Sequence, residues 1–348
     1  MSETANTELT DRQRRILAHV VEEYVASGQP VGSKNLVARA GMPISPSTVR
    51  SELAELERLG LLTHPHTSAG RVPTEAGYRS HADTLLERLE PRPSPFPLDL
   101  AAARSELEGA LQETTETLSQ ATRLLALVSA PAPQTATVRH VEVLVLQPQV
   151  LMVVVITSAG GVSKRVFALA EAVDTGVAVW AGEYLNERLA GLELGSGQLR
   201  RRFEEPGLSR REMEFLELLR PAFTELVGGL EQRLFVGGAA SLLGEVRADE
   251  LEACQRLLET LEKRAAILEM LGETIGSRRP YVRVGGELEN PALREVSLVG
   301  ASYGLTNRTL GAVSLLGPLR MDYEKAIRSV RAAAHELSRF VESVYEDN

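Results

Sequence analysis

Ser47, Thr48, Arg50 and Ser51 fall within five consecutive positions behind a Ser45-Pro46 pair, and together they offer three hydroxyls and one guanidinium. With no catalytic constellation around them, their chemistry is hydrogen bonding, to phosphate oxygens and to the edges of nucleic-acid bases. Ser45 offers an N-cap side chain, and Pro46 fills a first-turn position where a missing N–H costs nothing, so the pair predicts a sharp helix start. Val49, Leu53, Leu56 and Leu59 recur at helical spacing, and Gly60 closes the run. The result is a helix with one apolar face and one face carrying Ser47, Thr48, Arg50, Ser51 and Glu52, the arrangement of a helix whose start enters a major groove.

The neighbouring residues supply the elements that must position this helix. Thr10 and Gln13 form a capping box, and Ile16, Leu17, Val20, Tyr24 and Val25 give an apolar stripe that stops near Gly28. Pro30 and Gly32 turn the chain, and Ser33 caps a short segment, KNLVARA, that carries Lys34. After the apolar pair Leu61 and Leu62 comes THPHTSAGRVPT, a hairpin with Ser68, Ala69 and Gly70 in its turn and Arg71 at or beside its tip, placed to face a minor groove or a phosphate. His64 and His66 flank the same hairpin; no third ligand lies nearby, so a metal is not expected. Pro73 ends the strand and Thr74 caps the next helix. Helix, short helix, turn, capped helix and hairpin follow one another in the order of a winged helix-turn-helix.

Charge is distributed unevenly. The 348-residue chain carries a formal net charge of −9, which excludes a protein coated in positive charge for nonspecific nucleic-acid binding. From residue 9 to residue 79 there are nine basic against seven acidic residues, so the acidity lies downstream. A small positive patch binds weakly until two copies engage together. The single cysteine, Cys254, cannot form an internal disulfide and reads as a small helix residue. No run of about twenty apolar residues occurs and the first residues are polar, so neither a membrane span nor a signal peptide is expected, and the localisation read from the sequence is cytoplasmic. No phosphate-cradling loop and no Gly-x-Ser-x-Gly elbow is present, so neither an enzyme activity nor a cofactor is expected.

Beyond residue 90, PRPSPFP has four prolines in seven residues and reads as an extended linker over residues 91–97. Leucines spaced through residues 98–130 predict one long helix, packed within the subunit or contributing to a dimer seam. VRHVEVLVLQ, VLMVVVITS and VSKRVFALA then predict an antiparallel meander. The next strands expected in that sheet are PYVRVGGE, REVSLVGASYG and RTLGAVSLLGPLR, about a hundred residues later, before a long final helix. A sheet split in this way implies an inserted domain, because a structureless loop of that length is implausible. The insertion includes a strand-like RLFVGGAAS and a helix with Met213, Phe215, Leu216, Leu219, Phe223, Leu226 and Val227 on a wide apolar surface, which serves either a small core or a subunit interface.

The phrases GSKNL (32–36), ISPSTVRSELAELERLG (44–60) and HTSAGRVPTEAGYR (66–79), with SLVGASYG (297–304) and LGAVSLLGPLRMDY (310–323), resemble the heat-inducible transcription repressor family, HrcA. Ser51 with Glu52 departs from the Asn-Asp expected there. The resemblance implies a multidomain α+β fold: a winged-helix DNA-binding domain at 1–90, the linker at 91–97, a GAF-like antiparallel sheet domain at 98–174 and 277–348, and an inserted α/β dimerisation domain at 175–276. It implies a homodimer that binds double-stranded DNA at an inverted-repeat operator of the CIRCE type and represses chaperone operons. Heating would abolish that activity, and the GroE chaperonin would help restore it. The DNA contacts assigned on this basis are Ser47, Thr48, Arg50, Ser51, Lys34, His64, His66 and Arg71. The alternative is a regulator that senses a small molecule in its GAF-like domain.

Overall fold

The computed structural model describes residues 9–40, 44–65, 70–93, 95–98, 100, 107–131, 137–158, 162–194, 196–203, 207–223, 234–245, 247, 250–262, 279–306 and 308–346. It is a mixed helix and sheet protein with antiparallel sheets, dividing into two compact units, 1–128 with 234–340 and 129–233 with 341–348. Along the chain, α1 (Asp11–Ser27), α2 (Ser33–Ala40), α3 (Pro46–Arg58), β1 (Leu62–Thr63), β2 (Val72–Pro73) and α4 (Glu75–Glu87) come first. They are followed by α5 (Leu107–Thr122), β3 (Leu125–Ser129), β4 (Val138–Gln147), β5 (Val150–Thr157), β6 (Val162–Ala168), α6 (Thr175–Leu189), α7 (Gly197–Arg202) and α8 (Arg210–Leu219). The remainder comprises β7 (Leu234–Gly237), α9 (Ala239–Glu245), α10 (Leu251–Glu262), β8 (Tyr281–Val284), β9 (Val296–Leu305), β10 (Arg308–Pro318) and α11 (Tyr323–Glu346).

The N-terminal helices pack because each carries a stripe of large apolar residues at helical spacing. Ile16, Leu17, Val20 and Val21 of α1, Leu36 of α2, and Val49, Leu53 and Leu56 of α3 are all buried. Burying side chains of this kind contributes about 1.5–3 kcal/mol each, which offsets the entropy of ordering three short helices. The Thr10–Gln13 capping box forms in both directions, and Gly28 (φ +68) terminates α1.

The first unit's main sheet has five strands in the order β7-β3-β10-β9-β8, antiparallel from β3 to β8. β3, read in the sequence as the end of a long helix, is a central strand with all five residues buried. A short run that is apolar on every side fits a buried helix and a buried strand equally, and pairing with β10 decides the matter. β7, expected within the insertion, is an edge strand of this sheet. Conversely β4, β5 and β6, expected to begin the interrupted sheet, form a separate three-stranded sheet in the second unit. Their alternation explains why: β5 is buried at every second residue, so only one of its faces is built for a core. That face, with Val141, Leu151, Val153 and Val155, packs with Ala178, Ala181, Leu185 and Leu189 of α6. Asn186 secures the helix by accepting from the Val141 amide at 2.7 Å and donating to its carbonyl at 2.5 Å.

α4 links the N-terminal helices to the main sheet inside the first unit. Arg79 donates to the Val282 carbonyl and pairs with Asp83, and its Nε lies 3.4 Å from Glu287. Glu75 Oε1 accepts from the Gly286 amide at 2.8 Å. The Tyr78 ring lies 5.9 Å from that of Tyr323, whose hydroxyl donates to the Leu319 carbonyl at 2.8 Å and meets Ser297 Oγ at 2.6 Å. The proline segment is fastened too, because Arg331 of α11 donates to the Pro91 carbonyl at 2.8 Å. Cys254 is buried in α10 and its thiol is pushed up to about 11 by that burial, so it serves packing.

His81 of α4 is 6% exposed, and burial pulls its imidazole down from 6.5 to about 4. In the unfolded chain the ring protonates at its ordinary value, so the unfolded state binds the extra proton between these limits. Stability from this site is therefore complete above about pH 6.5 and falls as the pH drops towards 4, by about 3 kcal/mol in all. Denaturant titrations from pH 7 to pH 4.5 should show this slope in the native chain, and His81→Leu should flatten it.

Candidate nucleic-acid interface

The candidate surface is built on α3. Ser45 caps it by accepting from the Thr48 amide at 3.1 Å. Its hydroxyl also shares hydrogen bonds with Ser47 Oγ at 2.7 Å and Thr48 Oγ1 at 2.9 Å. No acidic residue occupies the first turn, so the positive end of the helix dipole is uncompensated and attracts an anion. Ser47, Arg50 and Ser51 share the exposed face, whereas Thr48 is half-buried with its hydroxyl drawn towards Ser45. Lys34 is exposed on α2, which packs against α3. Glu52, the acid that would oppose a phosphate, is held 3.4 Å from Arg12 of α1. Arg58 forms a fork with Glu55, at 2.9 and 2.5 Å, and each group's charged form is stabilised by the other.

The structure ties Arg71 and His64, on either side of the hairpin turn, to α3. Arg71 Nη2 lies 2.7 Å from Glu57 Oε2, and His64 Nδ1 meets the other oxygen of the same carboxylate. The Arg71 backbone exchanges two hydrogen bonds of 2.8 Å with Val31, just before α2. Arg71 therefore lies one residue beyond the Thr63–Val72 pair, on the turn side of the β1–β2 ribbon, tied to α3 by charge and to the α1–α2 connection by backbone. His66 and the turn at residues 67–69 lie outside the described residues. Glu57, which gathers both side chains, went unmarked in the sequence because its partners are 7 and 14 positions away. Its only local signal is an acid in the last turn of a helix, where the dipole disfavours negative charge.

The ribbon's other attachments explain the residues between positions 70 and 77. A Cβ at Gly70 would stand 2.5 Å from the Val31 carbonyl carbon, and one at Gly77 would stand 2.1 Å from the Leu61 carbonyl oxygen, so both backbones approach too closely for any side chain. Thr74 donates to the Gly60 carbonyl at 2.7 Å and accepts from the Gly77 amide at 3.1 Å, joining the end of α3 to the start of α4. Among the described residues no cluster of His, Cys, Asp or Glu is arranged to hold a metal ion, and no helix is long and apolar enough to cross a membrane.

The family model described as the HrcA protein C terminal domain matches residues 108–327. The chain is 35% identical over 346 residues to the heat-inducible transcription repressor HrcA of a Parafrankia species, covering 94% of this chain and 97% of that protein. The corresponding repressor of a Mycobacterium species is 34% identical over 333 residues, covering 93% and 96%. That of Pelotomaculum thermopropionicum is 29% identical over 340 residues, covering 97% and 98%. Among solved structures, the crystal structure of a hypothetical protein is 25% identical with a TM-score of 0.60, covering 98% of this chain and 100% of that one.

The Glu57 junction can be tested directly. Glu57→Gln keeps the size of the side chain but removes the charge that holds Arg71 and His64. Both pairs are partly exposed, so solvent screens them and the expected loss is about 1–2 kcal/mol. A denaturant titration of the variant reads that loss.

Proposed function

The chain belongs to the heat-inducible transcription repressor family, HrcA, whose members are not enzymes, and we propose that it represses chaperone operons by binding a CIRCE-type inverted-repeat operator as a homodimer. The observation that carries this reading is the exposed face of α3, where Ser47, Arg50 and Ser51 stand beside an uncompensated helix start. On this reading α1 to α4 with the β1–β2 ribbon form a winged helix-turn-helix, and the five-stranded sheet is the GAF-like domain. Arg50 and Ser51 read bases. Ser47, Thr48 and Lys34 meet the backbone, as do His64 and His66. Arg71 acts by fixing the ribbon against α3, because its charge is already committed to Glu57.

The second unit is proposed to hold two copies together. The outer face of its sheet carries Leu146, Val162 and Val166 at 50%, 67% and 54% exposure, an apolar surface that suits burial against a second copy. Two heads held at half-site spacing would bind an inverted repeat jointly, which compensates for the few cations on each. Loss of repression on heating, and recovery with the GroE chaperonin, follow if the DNA-competent state is only marginally stable. The half-exposed Glu57 junction and the proline segment between head and sheet support that reading.

A footprint on the protein's own chaperone-gene promoters, before and after heating and with and without GroE, tests the proposal as a whole. Two symmetric protected half-sites are expected, with protection returning after heating only when chaperonin is supplied. Full operator affinity regained unaided would refute the chaperonin step. Arg50→Ala should weaken operator binding by about 1–3 kcal/mol in a gel-shift titration, and unchanged affinity would move the base contact elsewhere. Val166→Lys should convert the dimer to monomer in sedimentation at micromolar concentration. A dimer that survives it would place the interface on another face.

A further inference from the structure

A cavity of about 350 Å³ lies within the first unit where α1, α4, the start of the proline segment and α11 meet. Four arginines line it, Arg88, Arg92, Arg328 and Arg331, together with the acids Glu22, Glu90 and Glu324. Two of the acids are engaged, Glu22 with His19 and Glu324 with Arg328, each at 3.2 Å. Arg331 commits one N–H to the Pro91 carbonyl. Arg88 and Arg92 are exposed, and their side chains have no hydrogen-bond or ion-pair partner among the described residues. That leaves three guanidinium groups facing one unengaged carboxylate, Glu90.

A second observation points into the same space. His81, 6% exposed, also lines the cavity, and its ring makes no hydrogen bond among the described residues. A polar ring held in the interior without a partner costs free energy unless a group in the cavity meets it. Guanidinium forks match carboxylate and phosphate oxygens in pairs, and the volume lies in the range of small-molecule sites.

We infer that this cavity is a binding site for a small dianion, a phosphate ester or a dicarboxylate, gripped by Arg88, Arg92 and Arg331 over His81. The site joins elements of different origin: α1 and α4 come from the N-terminal helices, and α11 follows the last strand of the main sheet. An occupant therefore braces the N-terminal helices on the sheet domain and raises the stability of their joint. The inference does not depend on the operator reading, since ligand binding is measured without DNA, and failure of either leaves the other standing.

The test is calorimetric titration of the full-length protein in two arms, inorganic phosphate and glycerol 3-phosphate in one, succinate and citrate in the other. Saturable binding in one arm identifies the class of ligand, and it should raise the thermal midpoint. The paired substitution Arg88→Gln with Arg92→Gln should weaken binding by about tenfold or more. Arg210→Gln, which removes a highly exposed guanidinium of the second unit, should leave binding unchanged. If the paired variant does not fold, phenylglyoxal labelling of the native chain gives the same answer, because the ligand should shield Arg88 and Arg92 but not Arg210. No saturation in either arm, equal loss in Arg210→Gln, or no selective shielding would overturn the site.

Discussion

One carboxylate organises the N-terminal module. Glu57 lies in the last turn of α3, where the partial negative charge of the helix end opposes it, and it is stabilised there by the Arg71 guanidinium and the His64 ring, which both arrive from the ribbon. That pairing adds a charged tie to the apolar packing of the ribbon, in which Leu62 of β1 and Pro73 of β2 are buried. The backbone exchange between Arg71 and Val31 then carries the constraint to the start of α2. Helix, ribbon and the connection before α2 are thus held together by the polar contacts of Glu57 and Arg71 and by the buried Leu62 and Val31. The same contacts engage a positive charge that the hairpin sequence offers to DNA, while Lys34 on α2 and Arg50 at the start of α3 are exposed.

α4 transmits this geometry into the body of the first unit. One face completes the small helical core, and the other presents Glu75, Tyr78 and Arg79 to the segment at residues 282–287 and to Tyr323. Because hydrogen bonds to buried carbonyls and amides are directional, this joint sets an angle as well as an attachment. The proline segment does not behave as a bare tether, since Arg331 holds it at Pro91.

The second unit shows how far a strand's neighbours are decided beyond its own residues. β5 alternates in burial and with β4 encloses a core against α6, whereas β3, β9 and β10 are buried along most of their length and assemble in the main sheet. Alternation against continuous burial separates the two sheets on physical grounds, one face to bury in the first case and two in the second. β7, four residues long, has too little pattern to show either.

The sequence by itself determined the local features: the Thr10 capping box, the Ser45 cap with Pro46 behind it, the buried stripe of Val49, Leu53 and Leu56, and the strands β4 to β6 and β8 to β10. Each depends on residues within a turn or two, or on a period of two or 3.6, and so is written in adjacent letters. The family phrases on either side of the middle also lay in the sequence. Only the tertiary structure decided which sheet each strand joined, that residues 125–129 are strand rather than helix, and that Arg71 answers to Glu57 instead of pointing outward. Those outcomes turn on contacts between residues far apart in the chain, where pairing energy and charge select among partners that local pattern leaves equivalent.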